Sequence, residues 1–177
     1  MTNQFVVGQY AEGQGGIYIG LTAQGRHLFA AATPLDGSFE FGSYGDELEG
    51  YSDLDGAENT RKLLERGDHP AAVAASEYTA DGHQDFYLPA HRELLQVAAA
   101  EGFDVTVSDV WTSTPYGSFY AWAVFFEYGY VHILVPPLRV PSSSRPQHHR
   151  LINSSLCPGL PGLAASKADA LCRVRSS

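Results

Sequence analysis

The sequence predicts an α+β domain with short antiparallel strands and two to three helices. Three observations carry this. β-branched and aromatic runs broken by glycine fill the N-terminal part, segments with helix caps fill the middle, and a tryptophan-containing block of strands lies near residues 110–135. Strands and helices come in runs rather than in βαβ alternation, which favours α+β over a parallel sheet.

Each element has a local cause. Phe5 to Tyr10 reads as a strand. Gly13-Gln14-Gly15-Gly16 leads into Ile17–Leu21, and after a turn at Gln24-Gly25 the run His27–Ala32 follows, a hairpin-like signal. Phe39-Glu40-Phe41 is a further short strand, followed by a Gly, Asp and Glu-rich loop from Gly42 to Gly56. Asp55 caps a helix over Ala57–Arg66, with Leu63 and Leu64 as apolar contacts and Gly67 as its stop. Pro70 suits the first turn of an alanine-rich helix, Ala71–Glu77, and Asp81-Gly82 makes a turn. A stronger helix runs over Ala90–Ala100, with Leu94, Leu95, Val97 and Ala98 inward and Gly102 ending it. Strands at Val110–Thr114, Phe119–Phe126 and Tyr130–Val135 complete the set.

The chain has 177 residues, 44% hydrophobic and 18% charged, enough for one domain with a real core. A net charge of −9 argues against general nucleic-acid binding, which needs a basic footprint. Met1-Thr2-Asn3-Gln4-Phe5 has no basic start and no long apolar run, so neither a signal peptide nor a membrane span is expected. A cytoplasmic or virion location follows. Two cysteines, Cys157 and Cys172, make no disulfide framework.

Charge changes sign along the chain. Residues 138–177 hold six Lys/Arg and one acid (Asp169), whereas the first 137 hold five Lys/Arg and nineteen acids. The last aromatic is Tyr130. A boundary near Pro136-Pro137 therefore divides a domain, 1–140, from a Pro, Ser and Arg-rich tail, 141–177. That tail reads either as a disordered extension or as the product of a frame change near Val135–Ser144.

Chemistry-bearing patterns are sparse. Gly13–Gly16 lacks the Gly-Lys-Ser/Thr ending of a phosphate loop. Aligning Gly56 with the glycine of an EF-hand puts Tyr51 and Lys62 at ligand positions, which fails, so the acidic loop reads as solvated surface. His27, His69, His83 and His91 have no metal spacing, and His148-His149 lies in the tail. Ser113 has no Gly-x-Ser-x-Gly elbow, and the hydroxyls of Thr112, Ser113 and Thr114 are expected to bond backbone in a tight turn. No catalytic signature and no cofactor motif emerges, so the expectation is a non-enzyme.

The strand block is different. Alternation sets Trp122, Val124 and Phe126 on one face, read as core with Trp111, and Ala123, Phe125 and Glu127 on the other. Tyr116, Phe119, Tyr120, Phe125, Tyr128 and Tyr130 exceed what one core face needs. Tyr offers large contact area at little rotamer cost, and an exposed apolar patch marks an interaction site.

Phe86-Tyr87-Leu88-Pro89, Arg92-Glu93-Leu94, Val110-Trp111-Thr112-Ser113-Thr114 and the scaffold Trp122, Val124, Phe126, Gly129 and Val131 resemble a family of uncharacterised bacterial and phage domains. Its pattern is a Leu-Pro-x-x-x-Glu-Leu helix start, a Trp-Ser-Ser-Thr strand and a Trp-x-Val-x-Phe-x-x-Gly strand pair. Gly8-Gln9-Tyr10 and Gly13–Tyr18 look like the start of the phage-borne members. The resemblance covers residues 8 to about 135. It implies a C-type-lectin-like fold used for binding, as in adhesins, phage receptor-binding proteins and the variable proteins of diversity-generating retroelements. In the last group a fixed scaffold alternates with positions diversified from asparagine codons. Here those positions are Ala123, Phe125, Glu127, Tyr128, Tyr130, His132, Ile133 and Leu134, of which Glu127 departs from simple Asn-codon diversification. Family members end in an Arg-rich closing strand, which Leu138-Arg139-Val140 only approximates.

The expected function is therefore ligand or receptor binding of phage or prophage type. The candidate contacts are Tyr116, Ser118, Phe119, Tyr120, Ala123, Phe125, Glu127, Tyr128, Tyr130, His132 and Leu134. A host-surface protein or glycan is the expected partner, with a second copy of the chain or a virion component as further classes. The alternatives are a structural virion or tail-assembly protein, and an enzyme related to the formylglycine-generating group. The last needs placed cysteines or an iron-binding histidine pair, which residues 1–140 do not supply.

Overall fold

A computed structural model describes residues 5–33, 35, 39–42, 45, 47–101, 109–125, 130–134 and 172–175. It is a mixed α+β arrangement of three helices and two antiparallel sheets. Strands β1 (Tyr10–Ala11), β2 (Gly16–Leu21), β3 (His27–Ala31), β4 (Phe86–Tyr87) and β8 (Cys172–Arg175) form one sheet in the order β1-β2-β3-β8-β4. Strands β5 (Asp109–Pro115), β6 (Ala121–Phe125) and β7 (Tyr130–Leu134) form the second, in chain order. Among the described residues no helix is long and apolar enough to cross a membrane.

The helices start and stop where local chemistry directs. In α1 (Gly56–Arg66) the Asp55 carboxylate accepts the Glu58 N–H at 3.1 Å, and Gly67, at φ 85°, closes the helix by donating to the Leu63 carbonyl. Leu63 is buried, whereas Leu64 faces solvent. Pro70 opens α2 (Pro70–Glu77), whose Ala71, Ala72 and Ala75 let it pack closely. In α3 (His91–Ala98), Leu94 and Val97 are buried but Ala98 is exposed, contrary to the expectation from spacing. The expected stop at Gly102 lies outside the described residues. Asp81 and Gly82, both at positive φ (49° and 77°), make the predicted turn between the paired Ala80 and His83.

Two expected strands are altered. Phe5–Tyr10 contributes only Tyr10 to β1, although Gly8 N–H still donates to the Tyr18 carbonyl. Phe39-Glu40-Phe41 is not a strand, because its carbonyls are used sideways. Phe39 accepts from Trp111 Nε1 (3.0 Å), Glu40 accepts from Ala71 N–H (3.0 Å), and Phe41 accepts from His69 Nδ1 (2.7 Å).

Two core clusters lie on either side of β5–β6. Val110 and Val124, cross-strand partners, pack with Leu94 and Val97 of α3 and with Ile19 and Leu28 of the large sheet. Trp111 and Ala123, also partners, pack with Phe41, Leu63, Ala71 and Phe86. Both faces of the hairpin are thus covered, and alternation there does not separate inside from outside. Alanine at 121 and 123 fits because the Trp111 indole fills the space above that face.

Within the 141–177 segment, read as a Pro, Ser and Arg-rich tail, the described residues are those of β8. Cys172-Arg173-Val174-Arg175 runs between β3 and β4, pairing Ala30 with Cys172, Leu28 with Val174, and Tyr87 with Cys172. The partners it meets in the ladder, Ala30, Leu28 and Tyr87, are members of one core cluster. An alternating strand only four residues long vanishes in a composition average over the Ser, Pro and Arg around it. Leu138–Val140, read as the nearest approach to a closing strand, lies outside the described residues.

Candidate functional site

The end of the β5–β6 hairpin is held from below by a buried polar frame. Thr112, Ser113 and Thr114 are all buried at a register shift in β5. The Thr112 hydroxyl accepts the Thr114 N–H, the local turn bond expected from sequence. The others reach further. Ser113 N–H donates to the Pro89 carbonyl (2.7 Å), Thr114 Oγ1 donates to the Ser52 carbonyl and accepts the His91 N–H, and the Ser113 hydroxyl accepts from Asn59. Asn59 also pairs with both backbone groups of Ser52. These bonds tie the hairpin to the first turns of α1 and α3.

Above the frame the chain turns through Tyr116-Gly117-Ser118-Phe119-Tyr120. Tyr116 N–H donates to the Tyr120 carbonyl (2.8 Å), Gly117 takes a left-handed φ of 70°, and Gly45 N–H donates to the Ser118 carbonyl (2.7 Å). Tyr116, Phe119 and Tyr120 are 49%, 47% and 41% exposed. Half-buried Trp122 stands beside them, with Tyr116 edge-on at 5.0 Å and the His91 imidazole stacked on it at 4.6 Å, 6° from parallel. Burial lowers the His91 pKa; the Asp53 carboxylate opposes this, and the neighbouring Arg92 cation adds a smaller lowering.

The structure brings together Tyr116, Ser118, Phe119 and Tyr120 of the predicted contacts. Ala123 is corrected: it is fully buried beside Trp111, so it is scaffold rather than contact. Trp122 is also corrected, from core to a half-buried member of the site. Phe125 and Tyr130 are register partners, as are Ala123 with His132 and Ala121 with Leu134. Glu127 and Tyr128 lie outside the described residues. His91 carries no sequence signal for the site, because both of its links, the backbone bond to Thr114 and the stack on Trp122, are to strands more than twenty residues away.

Among the described residues no group of three or more His, Cys, Asp or Glu side chains is placed to hold a metal ion. No family model, curated protein or solved structure matches the chain.

Proposed function

We propose that this chain is a ligand- or receptor-binding domain of phage or prophage type, built on a C-type-lectin-like scaffold, with the β5–β6 hairpin end as its contact surface. The observation that carries the reading is the cluster of Tyr116, Phe119 and Tyr120, each close to half exposed, around Trp122. These large rings are left about half exposed by a bonded turn and belong to no core cluster among the described residues. They are the anchors that interfaces favour. The turn is tied at Tyr116–Tyr120 and Gly45–Ser118, which lowers the ordering cost of binding. Residues 115–120 carry no charge, so the surface suits shape, ring stacking and phenol hydrogen bonds with a host-surface protein or glycan. The phage setting, and retroelement diversification of the neighbouring strand positions, are supported by the motif resemblance.

The test is binding of labelled full-length protein to intact bacterial cells and to purified surface glycans at neutral pH. Each buried anchor is worth roughly 2 kcal/mol, about thirtyfold in affinity, so combined Tyr116→Ala, Phe119→Ala and Tyr120→Ala should abolish binding without changing the melting temperature. Equal binding by the triple variant would sink the proposal.

An assembly role is the second reading. Val6 and Val7 just before β1, Tyr10 in it, and Leu21 at the end of β2 are each about half exposed, away from the hairpin turn in sequence. Self-association that persists in the hairpin variant and is lost in Val6→Ser/Val7→Ser would favour it.

A further inference from the structure

We propose that His91 is a proton-operated latch on the aromatic hairpin: neutral, it holds Trp122 in a face-to-face stack, and on protonation it leaves the stack and frees the Tyr116–Trp122 end. The ligand consequence rests on the binding surface proposed above, while the latch itself is a property of two side chains.

The geometry sets stacking against protonation. His91 Nε2 is buried and has no hydrogen-bond partner. A neutral imidazole leaves that position uncharged, whereas an imidazolium would carry a charged N–H into it with no acceptor. His91 is also the first residue of α3, where the helix dipole opposes a cation. Its helix neighbour Arg92 adds a like charge. Glu93, on the same turn, directs its carboxylate at Gly56, Ala90 and Tyr87. Two groups favour the cation: Asp53, an exposed carboxylate in the loop before α1, and the π face of Trp122. The hairpin contributes the Tyr116 phenol, edge-on to the indole, and β5 the uncharged Thr114. A solvent-screened carboxylate and one ring face return less than an unpaired buried cation costs. Burial dominates, in keeping with the lowered basicity of the ring.

The released imidazole has the ordinary histidine pKa of about 6.5, and the stacked one titrates lower. The stack is therefore at full strength above the ordinary value and is lost progressively as pH falls below it. Acidification would loosen Trp122 and, through its edge contact, Tyr116. Any ligand that needs these rings in place would be released over the same range.

Tryptophan emission of the full chain, followed from pH 8 to pH 5, tests this without a ligand. Trp111 is buried, with Nε1 bonded to the Phe39 carbonyl, and provides a constant background. The expected result is a red shift with its midpoint below the ordinary histidine value, absent in His91→Phe and in Trp122→Phe, while far-UV circular dichroism stays constant. A red shift retained in His91→Phe would overturn the latch. So would quenching without a shift, which leaves the imidazolium stacked, an unchanged spectrum, or a coincident loss of circular dichroism. Should His91→Phe fail to fold, the His91 Cε1–H resonance of the wild type decides: a midpoint at or above the ordinary value overturns the proposal. Failure of the neutral-pH binding test would leave these outcomes untouched, so the two readings fail separately.

Discussion

The buried carboxylate of Glu93 accepts the backbone N–H of Gly56 at 3.0 Å, joining the first turn of α3 to the first turn of α1 through one side chain. The same oxygen accepts the Ala90 N–H (2.9 Å), and the other accepts the Tyr87 hydroxyl (3.0 Å). Gly56 permits this approach, since a Cβ there would lie 2.5 Å from both Glu93 Oε2 and Ala90 N.

Replacing Glu93 separates its bonds from its charge. Glu93→Ala removes the acceptor used by three buried donors and should cost about 2–4 kcal/mol in urea unfolding. Glu93→Gln keeps an acceptor for both backbone groups and a partner for the Tyr87 phenol, so its cost should be smaller. Burial raises the Glu93 pKa. The folded state then holds its proton more tightly than the unfolded chain does. This contribution is complete below the unfolded carboxylate value and is lost as pH rises through the folded pKa. The glutamine variant should lack that decline, measured as unfolding free energy against pH.

Ala123 and Phe119 should respond in opposite ways. Ala123→Leu pushes a side chain into the space of the Trp111 indole and should cost about 1–3 kcal/mol of stability. Phe119→Ala, at an exposed turn, should change stability by less than about 0.5 kcal/mol while weakening binding. Thermal melts of the two variants check the division between scaffold and contact. A destabilised Phe119→Ala would place that ring in the core.

Asp81 ties down the glycine-rich turn before β2. Its carboxylate accepts the Tyr10 hydroxyl (2.7 Å) and the Gly15 and Gly13 N–H groups (3.1 and 3.2 Å), and these bonds, the Tyr10 hydroxyl first, lower its pKa. The clasp is present above the ordinary carboxylate value and is lost as pH falls through the lowered one. Asp81→Asn tolerates the left-handed backbone at this position but weakens the acceptor. Amide exchange at Gly13 and Gly15 should accelerate in that variant with little change in melting temperature. Unchanged exchange at both glycines would mean that the turn holds without the carboxylate.

Val174→Asp probes β8. Its register partner Leu28 is fully buried, so the variant sets a charge at the ladder position opposite a core residue. The variant should be destabilised by about 3 kcal/mol or more and should aggregate through the exposed edge of β3, as read by size exclusion and urea titration. Wild-type stability would rule out a role for β8 in the sheet.

Features set by neighbouring residues were legible in the sequence. Asp55 and Gly67 bound α1 as their capping chemistry predicts, Pro70 opens α2, and Asp81-Gly82 turns. Alternation correctly put Ala123 and Trp122 on opposite faces of β6, but it could not say that each face is covered. The second layer comes from α1, α2 and Phe41, all distant in sequence. Phe39–Phe41 has strand composition, yet its carbonyls serve Trp111, Ala71 and His69, a demand visible only in three dimensions. The tyrosines of the hairpin turn were found from residue type alone. His91 was not, since stacking on Trp122 leaves no local mark.

The place of β8 between β3 and β4 has a kinetic consequence. β3 is complete at residue 31 and β4 at residue 87, but the strand that bridges them is made only at 172–175. At ribosomal speeds the interval from β3 to β8 is on the order of ten seconds, far longer than a hairpin needs to form. Throughout that interval Leu28 and Ala30 belong to a sheet with an open seam. The nascent domain would be most vulnerable then, so chaperone dependence during synthesis, rather than melting temperature, is where changes at β8 would first be felt.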